Sequence, residues 1–488
     1  MSNPAQPSDG RRQPNVVVFV ADDQTYRSIN ALNNTEVQTP NLDRLVRRGT
    51  SFTHAHHQGS WTGAVCIASR AMLHTGRMLY HCGGNDCGDH PLLGETFGAR
   101  GYDTACFGKW HNYGPSNPQG RSFAHIGVQL EPPTSSPFDF HTLEVGGDLT
   151  NTEYHYPSPT NRWRPDDRTR PGHWKDTDAN TDPTGRIHTS TLFVDATLEH
   201  LRNHVESGSE IPFFTYTAFY APHDPRQAPT EFLERYPIDD VDMPANFLPK
   251  HPFDQGDYRL RDEQLCPWPR TGAAVRTHRR DYHAILTHMD AELGRVLDYL
   301  HETGLADETI IVWTADHGLA VGQHGLMGKQ NMYDHSVRVP LIFAGPGVPA
   351  DQRRNELVYQ HSVFATLADL AGVDAPASVQ FPSLAPLIRG EDTTAPHENI
   401  FCSYRHYQRM CRSRTHKLIL YPHNGRWQLF DVENDPLECV DLAKHDDAKH
   451  RYRGIIEPLW DALTRWQRRV GDQLQLNVSD FDLGFPTE

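Results

Sequence analysis

Apolar residues in this chain fall into two kinds of run. Val16–Ala21, Thr104–Phe107, Phe213–Phe219 and Ile310–Ala315 are short, nearly continuous and rich in β-branched and aromatic side chains, the pattern of strands buried on both faces. By contrast, His278–Glu302 repeats apolar positions at spacings of three and four (Tyr282, Ile285, Leu286, Met289, Leu293, Val296, Leu297, Leu300), which predicts one long helix ended by Gly304. Another strand is expected over Val339–Ala344, closed by Gly345-Pro346-Gly347. This alternation predicts an α/β fold: a doubly wound, mixed but mainly parallel sheet flanked by helices. Near Ala395 the texture changes to shorter strands, Thr415–Tyr421 and Trp427–Val432, around the turn Pro422–Gly425. A helix carrying Ile455, Ile456, Leu459, Leu463 and Trp466 follows. Residues 1–394 are therefore read as a main α/β domain and 395–488 as a smaller C-terminal α+β domain with a tail.

Two Pro- and Gly-rich stretches, near 113–186 and 236–277, are too long for simple connections and are read as loop inserts. The first carries Trp163, Arg164, Arg168, Arg170, His173, Trp174 and Lys175. That content suits stacking on sugar rings and pairing with anions, and it equally suits solvated padding.

Composition narrows the function. With 46 basic and 62 acidic residues the formal charge is −16, which argues against general nucleic-acid binding. No apolar run is long enough to span a bilayer and the first residues are polar, so no membrane anchor is expected. On the sequence as given the expected location is cytoplasmic, or periplasmic or extracellular if a signal peptide has been removed. The eight cysteines show no Cys-x-x-Cys spacing. Cys82 and Cys87 are read as free buried thiols in preference to a pair across a Gly-rich loop.

The chemistry gathers where strands end. Val16–Ala21 runs into Asp22-Asp23, Thr104–Phe107 toward Lys109-Trp110-His111, Phe213–Phe219 toward His223-Asp224, and Ile310–Ala315 into Asp316-His317. In a parallel sheet the carboxyl ends share one edge, so these groups are expected to meet in one crevice. Adjacent carboxylates repel, and a hard cation with oxygen ligands is the simplest compensation. Three carboxylates and one imidazole favour calcium or magnesium and leave zinc or manganese open. Cys66 lies where an apolar-periodic helix begins, with Arg70 one turn on; a helix start favours an anionic nucleophile, although a small buried Cys is the ordinary alternative.

Taken together, these residues resemble the type I sulfatases of the alkaline phosphatase superfamily, notably bacterial polysaccharide sulfatases. The resemblance rests on Cys66-Ile67-Ala68-Ser69-Arg70 followed by Thr75-Gly76-Arg77, on Asp22-Asp23-Gln24, and on Thr39-Pro40-Asn41-Leu42-Asp43-Arg44-Leu45. It continues through Gly108-Lys109-Trp110-His111, Pro222-His223, Ala315-Asp316-His317-Gly318, Gly328-Lys329 and Leu429-Phe430-Asp431 with Asp435-Pro436-Leu437-Glu438. The departure is Ala68, where the family most often has Pro.

The resemblance implies a sulfuric ester hydrolase in which a maturation enzyme converts Cys66 to formylglycine. One calcium per chain would be held by Asp22, Asp23, Asp316 and His317 together with residue 66. Arg70 would hold the hydrated aldehyde, and Lys109 and Lys329 would contact sulfate oxygens. His223 would protonate the leaving alcohol and His111 would deprotonate the second hydroxyl of the diol. The implied substrate is a sulfated saccharide. Kept beside this reading are a phosphodiesterase or phosphonate monoester hydrolase of the same superfamily, and a non-catalytic relative that binds sulfated glycans. His324, His335 and Arg338 are expected near the same edge, shaping specificity or supporting the site by packing.

Overall fold

The computed structural model describes residues 12–112, 123–126, 173–176, 186–257, 260–266 and 268–483. Its centre is an eight-stranded sheet in the order Gln352–Arg354, Gly49–Phe52, Leu341–Ala344, Thr309–Ala315, Asn15–Ala21, Phe213–Ala218, Asp103–Gly108, His125–Ile126. Only Leu341–Ala344 runs against its neighbours; the other pairings are parallel. The four predicted site-bearing strands occupy adjacent central positions. Each is almost wholly buried, as expected when helices cover both faces of the sheet.

Two elements differ from the sequence expectation. Val339–Ala344 is not one strand: Pro340, which has no N–H to give a ladder, divides it. Arg338–Val339 pairs with Ala55–His56 in a separate small sheet, while Leu341–Ala344 joins the central one. The long helix is Gly272–Glu302, starting before His278, because the Thr271 side chain accepts a hydrogen bond from the Ala274 amide and caps it. Gly272–Thr277, read as insert, is therefore its first turns.

A second, five-stranded sheet is built from Ile400–Tyr404, Gln408–Arg412, His416–Tyr421 and Arg426–Asp431, covered by the helix Arg453–Val470. Its fifth strand is Gly59–Ser60, which pairs in parallel with Ser403-Tyr404. That strand lies just upstream of Cys66, so the second sheet is built into the wall beside it. Among the described residues every cysteine is a free thiol, including Cys82 and Cys87, and no helix is long and apolar enough to cross a membrane.

Candidate active site

Strand register brings the predicted site residues together. Ala21 is the ladder partner of Ala315, and Gly108 that of Ala218, so the next residues emerge level at one edge. The backbone continues the ladder one step: Asp316 donates its amide to Ala21 O at 3.1 Å, Asp22 to Ala221 O at 3.0 Å and Lys109 to Ala218 O at 2.9 Å. Asp22 and Asp316 consequently stand side by side although 294 positions separate them in the chain.

Cys66 is buried near the start of the Val65–Thr75 helix. Its Sγ, one carboxylate oxygen each from Asp22 and Asp316, and a ring nitrogen of His317 all lie within 4.8 Å of one another. Asp22, Asp23 and His223 form a second such group. Asp23 reaches His317 as well, Oδ1 standing 3.2 Å from Nδ1. One turn along the helix, Arg70 donates through Nε to Asp316 Oδ2 at 3.0 Å and through Nη2 to Asp22 Oδ2 at 3.4 Å. Its Nη1 holds Lys109 O at 2.8 Å. Lys109 Nζ donates to Asp22, and Lys329 Nζ to Asp23 Oδ1 at 2.8 Å.

This concentration of charge sets the protonation states. Burial alone would raise the Asp22 carboxyl, but Lys109, His223 and Arg70 hold it well below the usual range. Asp23 is pushed up to about 7, by burial and by its acidic neighbours against the pull of Lys329. Burial, and then Lys329, drives His223 well below 6.5; burial, and then Lys109, does the same to His111. His223 Nδ1 donates to Asp224 O at 2.7 Å, so the ring presents Nε2 to the site, 4.0 Å from Asp23 Oδ2. His111 has a left-handed backbone (φ 71°), and the adjacent Asn112 donates to Ile67 O at 3.1 Å, laying this segment against the Cys66 helix.

The donor set fits a hard cation. Asp22 Oδ1 and His317 Nε2 are both buried without a hydrogen-bond partner, and they lie 4.0 Å apart. Two donors sharing one ion at the ~2.3–2.6 Å of calcium–oxygen bonds stand at roughly that separation. Orphaned buried polar atoms are costly, and here they converge.

Several residues at this site have no site role in the sequence reading. Arg261, from the second insert, grips Asp224 with two bonds of 2.7 and 3.2 Å. Ser69 and Gln360 both donate to Asp316 O, at 2.6 and 2.8 Å. Tyr282, foreseen only as a core position, donates its hydroxyl to Asp23 O at 2.8 Å and accepts from the Thr25 amide. His324 and Arg338, by contrast, sit where the main sheet's loops meet the second sheet. His324 stacks on Tyr333, and Arg338 lies over Tyr26 and reaches Asp334. In the first insert, His173 and Trp174 are buried, which removes both from a sugar-facing surface; Trp163, Arg164, Arg168 and Arg170 lie outside the described residues.

The sulfatase family model matches residues 14–373, and the model of the N-sulphoglucosamine sulphohydrolase C-terminal region matches residues 322–469. An N-acetylglucosamine-6-O-sulfatase of Bacteroides thetaiotaomicron is 28% identical, covering 95% of this chain and 88% of its own. An arylsulfatase of Clostridium perfringens is 26% identical over 90% and 92%. Among solved structures, one in complex with its substrate D-glucosamine-2-N,6-O-disulfate superposes with a TM-score of 0.69 at 22% identity, covering 94% of this chain and 99% of the other. A phosphonate monoester hydrolase of Agrobacterium radiobacter superposes with a TM-score of 0.71 at 20% identity, covering 95% and 97%. At these identities the superpositions speak for the fold; the family model, spanning most of the chain, decides membership, and the chain belongs to the sulfatase family.

Proposed function

We propose that this enzyme releases sulfate from a sulfated saccharide, using residue 66 as formylglycine and one calcium ion. The observation that carries the reading is the approach of Cys66 Sγ to the Asp22, Asp316 and His317 donors within 4.8 Å, with Arg70 bridging the two aspartates. Asp22, Asp23, Asp316 and His317 would hold the cation. A hydrated formylglycine supplies one oxygen as nucleophile and a second to be deprotonated afterwards, while a divalent cation withdraws charge from the attacking oxygen and the sulfate.

The chain's own groups do the rest. Lys109 and Lys329 now neutralise Asp22 and Asp23. With a cation held by those carboxylates, the ammonium groups can turn to the sulfate oxygens, where charge must be stabilised as the ester bond breaks. Arg70 keeps its guanidinium charged despite burial because Asp316 and Asp22 flank it, and it orients the group at position 66. His223, its Nδ1 proton engaged by Asp224 O, offers an unprotonated Nε2, which would take up the proton that the attacking hydroxyl of residue 66 gives up and pass it to the leaving oxygen. His111, kept neutral by burial and by Lys109, is suited to accept one. The saccharide class is supported by relatives named for amino-sugar and hexuronate sulfate esters. The chain must also meet a formylglycine-generating enzyme.

Purified enzyme from cells with a maturation system tests this directly. Peptide mass spectrometry should find the aldehyde at residue 66, and 4-nitrophenyl sulfate and sulfated amino sugars should be hydrolysed faster than 4-nitrophenyl phenylphosphonate. Faster phosphonate hydrolysis would favour the phosphonate monoester hydrolase. Binding of sulfated saccharide by fully modified protein without turnover would favour a non-catalytic role.

A further inference from the structure

The first insert reaches the site by an unexpected route. Its short strand Trp174–Asp176 pairs antiparallel with Arg186–His188, and His173, just ahead of the strand, is completely buried beneath the loop that carries His223. His173 Nε2 stands 2.9 Å from His223 O, its Nδ1 stands 2.9 Å from Thr189 Oγ1, and its amide donates to Gln227 Oε1 at 2.9 Å. The ring also stacks on His188 at 5.0 Å, with only 4° between planes.

The hydrogen-bonding roles follow from chemistry. A carbonyl oxygen only accepts, so His173 Nε2 must carry the proton. Burial keeps the ring neutral, so Nδ1 must accept, and the Thr189 hydroxyl donates to it. The chain Thr189 to His173 to His223 O therefore has one direction, set by the Nε2–H tautomer. Arg261, from the second insert, clamps Asp224, whose carbonyl oxygen receives His223 Nδ1–H. Both inserts thus hold the short loop that carries His223.

We propose that His173 is a positioning residue for His223, and that a function of the first insert is to fix the aim of the proton donor. The proposal rests on the reading of His223 as that donor. The hydrogen bonds of His173 run to His223 O, Thr189 and Gln227, so its effect should appear chiefly where protonation of the leaving oxygen limits the rate.

The test is a leaving-group series of aryl sulfates, from 4-nitrophenyl to 4-methylphenyl sulfate, on the matured full-length enzyme. His173→Leu should lower kcat/KM roughly 10- to 100-fold for the least acidic phenol, the range seen when a supporting partner is removed. The loss for 4-nitrophenyl sulfate should stay below about threefold, since that phenolate leaves unaided. His173→Gln, whose amide N–H can replace Nε2–H, should restore most of the loss. Thr189→Val, which leaves the imidazole in place and removes only its hydroxyl donor, should show the same selectivity more weakly; it keeps the proposal open to refutation if the leucine variant does not fold. Equal losses along the series in either variant, or none, would overturn it. His223→Ala separates the two ideas. If its own losses are equal along the series, the donor assignment fails; if they are selective while those of His173→Leu and Thr189→Val are not, only the positioning role fails.

Discussion

A Cβ placed on Gly108 would stand 2.0 Å from the carbonyl oxygen of Ala218, and the Gly108 backbone has φ of +86°. Both constraints fall at the residue that delivers Lys109, whose amide bonds to that same carbonyl. Gly108→Ala must therefore displace the strand end. It is expected to destabilise the fold by about 2 kcal/mol and to lower kcat/KM roughly 100-fold through misplacement of Lys109. Urea denaturation and steady-state kinetics on 4-nitrophenyl sulfate measure both; a variant with unaltered kcat/KM would show that the turn does not aim the lysine.

Asp316 is hydrogen bonded through Oδ2 to Arg70, and its Oδ1 stands 3.5 Å from His317 Nε2. Asp316→Asn keeps the shape and removes one negative charge from the cation-holding set. Calcium affinity should fall by at least about tenfold, with turnover falling alongside it. For the parent enzyme, calcium at 100 times its dissociation constant should add about 2.7 kcal/mol of stability over the chelated form. Calorimetric titration and denaturation with and without a chelator test both; equal calcium affinity in the two proteins would remove Asp316 from the ligand set.

The central sheet was readable because Val16–Ala21 and Ile310–Ala315 are apolar on both faces and end in charge, a combination that fixes both the strand and its direction. What the residues could not convey is register, since nothing local in either strand pairs Ala21 with Ala315. Short-range chemistry misled in two places. Pro340 cuts one apolar run into strands of different sheets, and Thr271 starts a helix inside a stretch whose prolines and glycines read as loop. Long-range partners were invisible: Arg261 is one arginine in a long insert, and Gly59–Ser60 is too short to show a period, yet one clamps Asp224 and the other joins the second sheet to the region ahead of Cys66. For His173, basic and aromatic neighbours suit a sugar-facing surface and solvated padding equally, and neither is its place: it is buried just ahead of the strand that pairs with Arg186–His188.

Lys417 is fully buried on the second sheet, with Nζ paired to both Asp334 and Glu438. Asp334 keeps two further partners, Arg338 and Arg412 at 3.3 Å, but among the described residues Lys417 is the one ion-pair partner of Glu438. Lys417→Met should therefore strand a buried carboxylate and cost about 3–5 kcal/mol. Adding Glu438→Gln should recover a large part of that loss, because the stranded charge is gone. Denaturation of the single and double variants measures the coupling, and simple additivity would contradict a shared buried network.

Acid should destabilise the enzyme well before its surface carboxylates titrate. Burial, followed by Arg338, pushes His54 down to about 3; burial, followed by Arg70, does the same to His74; and burial, followed by Lys417, does so to His335. Unfolded, each returns to about 6.5. Between those values the unfolded chain binds more protons than the folded one, so stability is complete above pH 6.5 and is lost as pH falls, by up to about 1.4 kcal/mol per pH unit for each histidine. Asp290, raised by burial to about 6, works the other way: the fold takes up its proton before the unfolded chain does, offsetting one histidine between pH 6 and 4. Urea midpoints should therefore fall steadily from pH 6.5 to 5. His74→Phe, which preserves the stack against Trp110 at 3.9 Å, should make that fall shallower. A midpoint constant over this interval would mean that these rings protonate without unfolding, and that their burial does not hold them neutral.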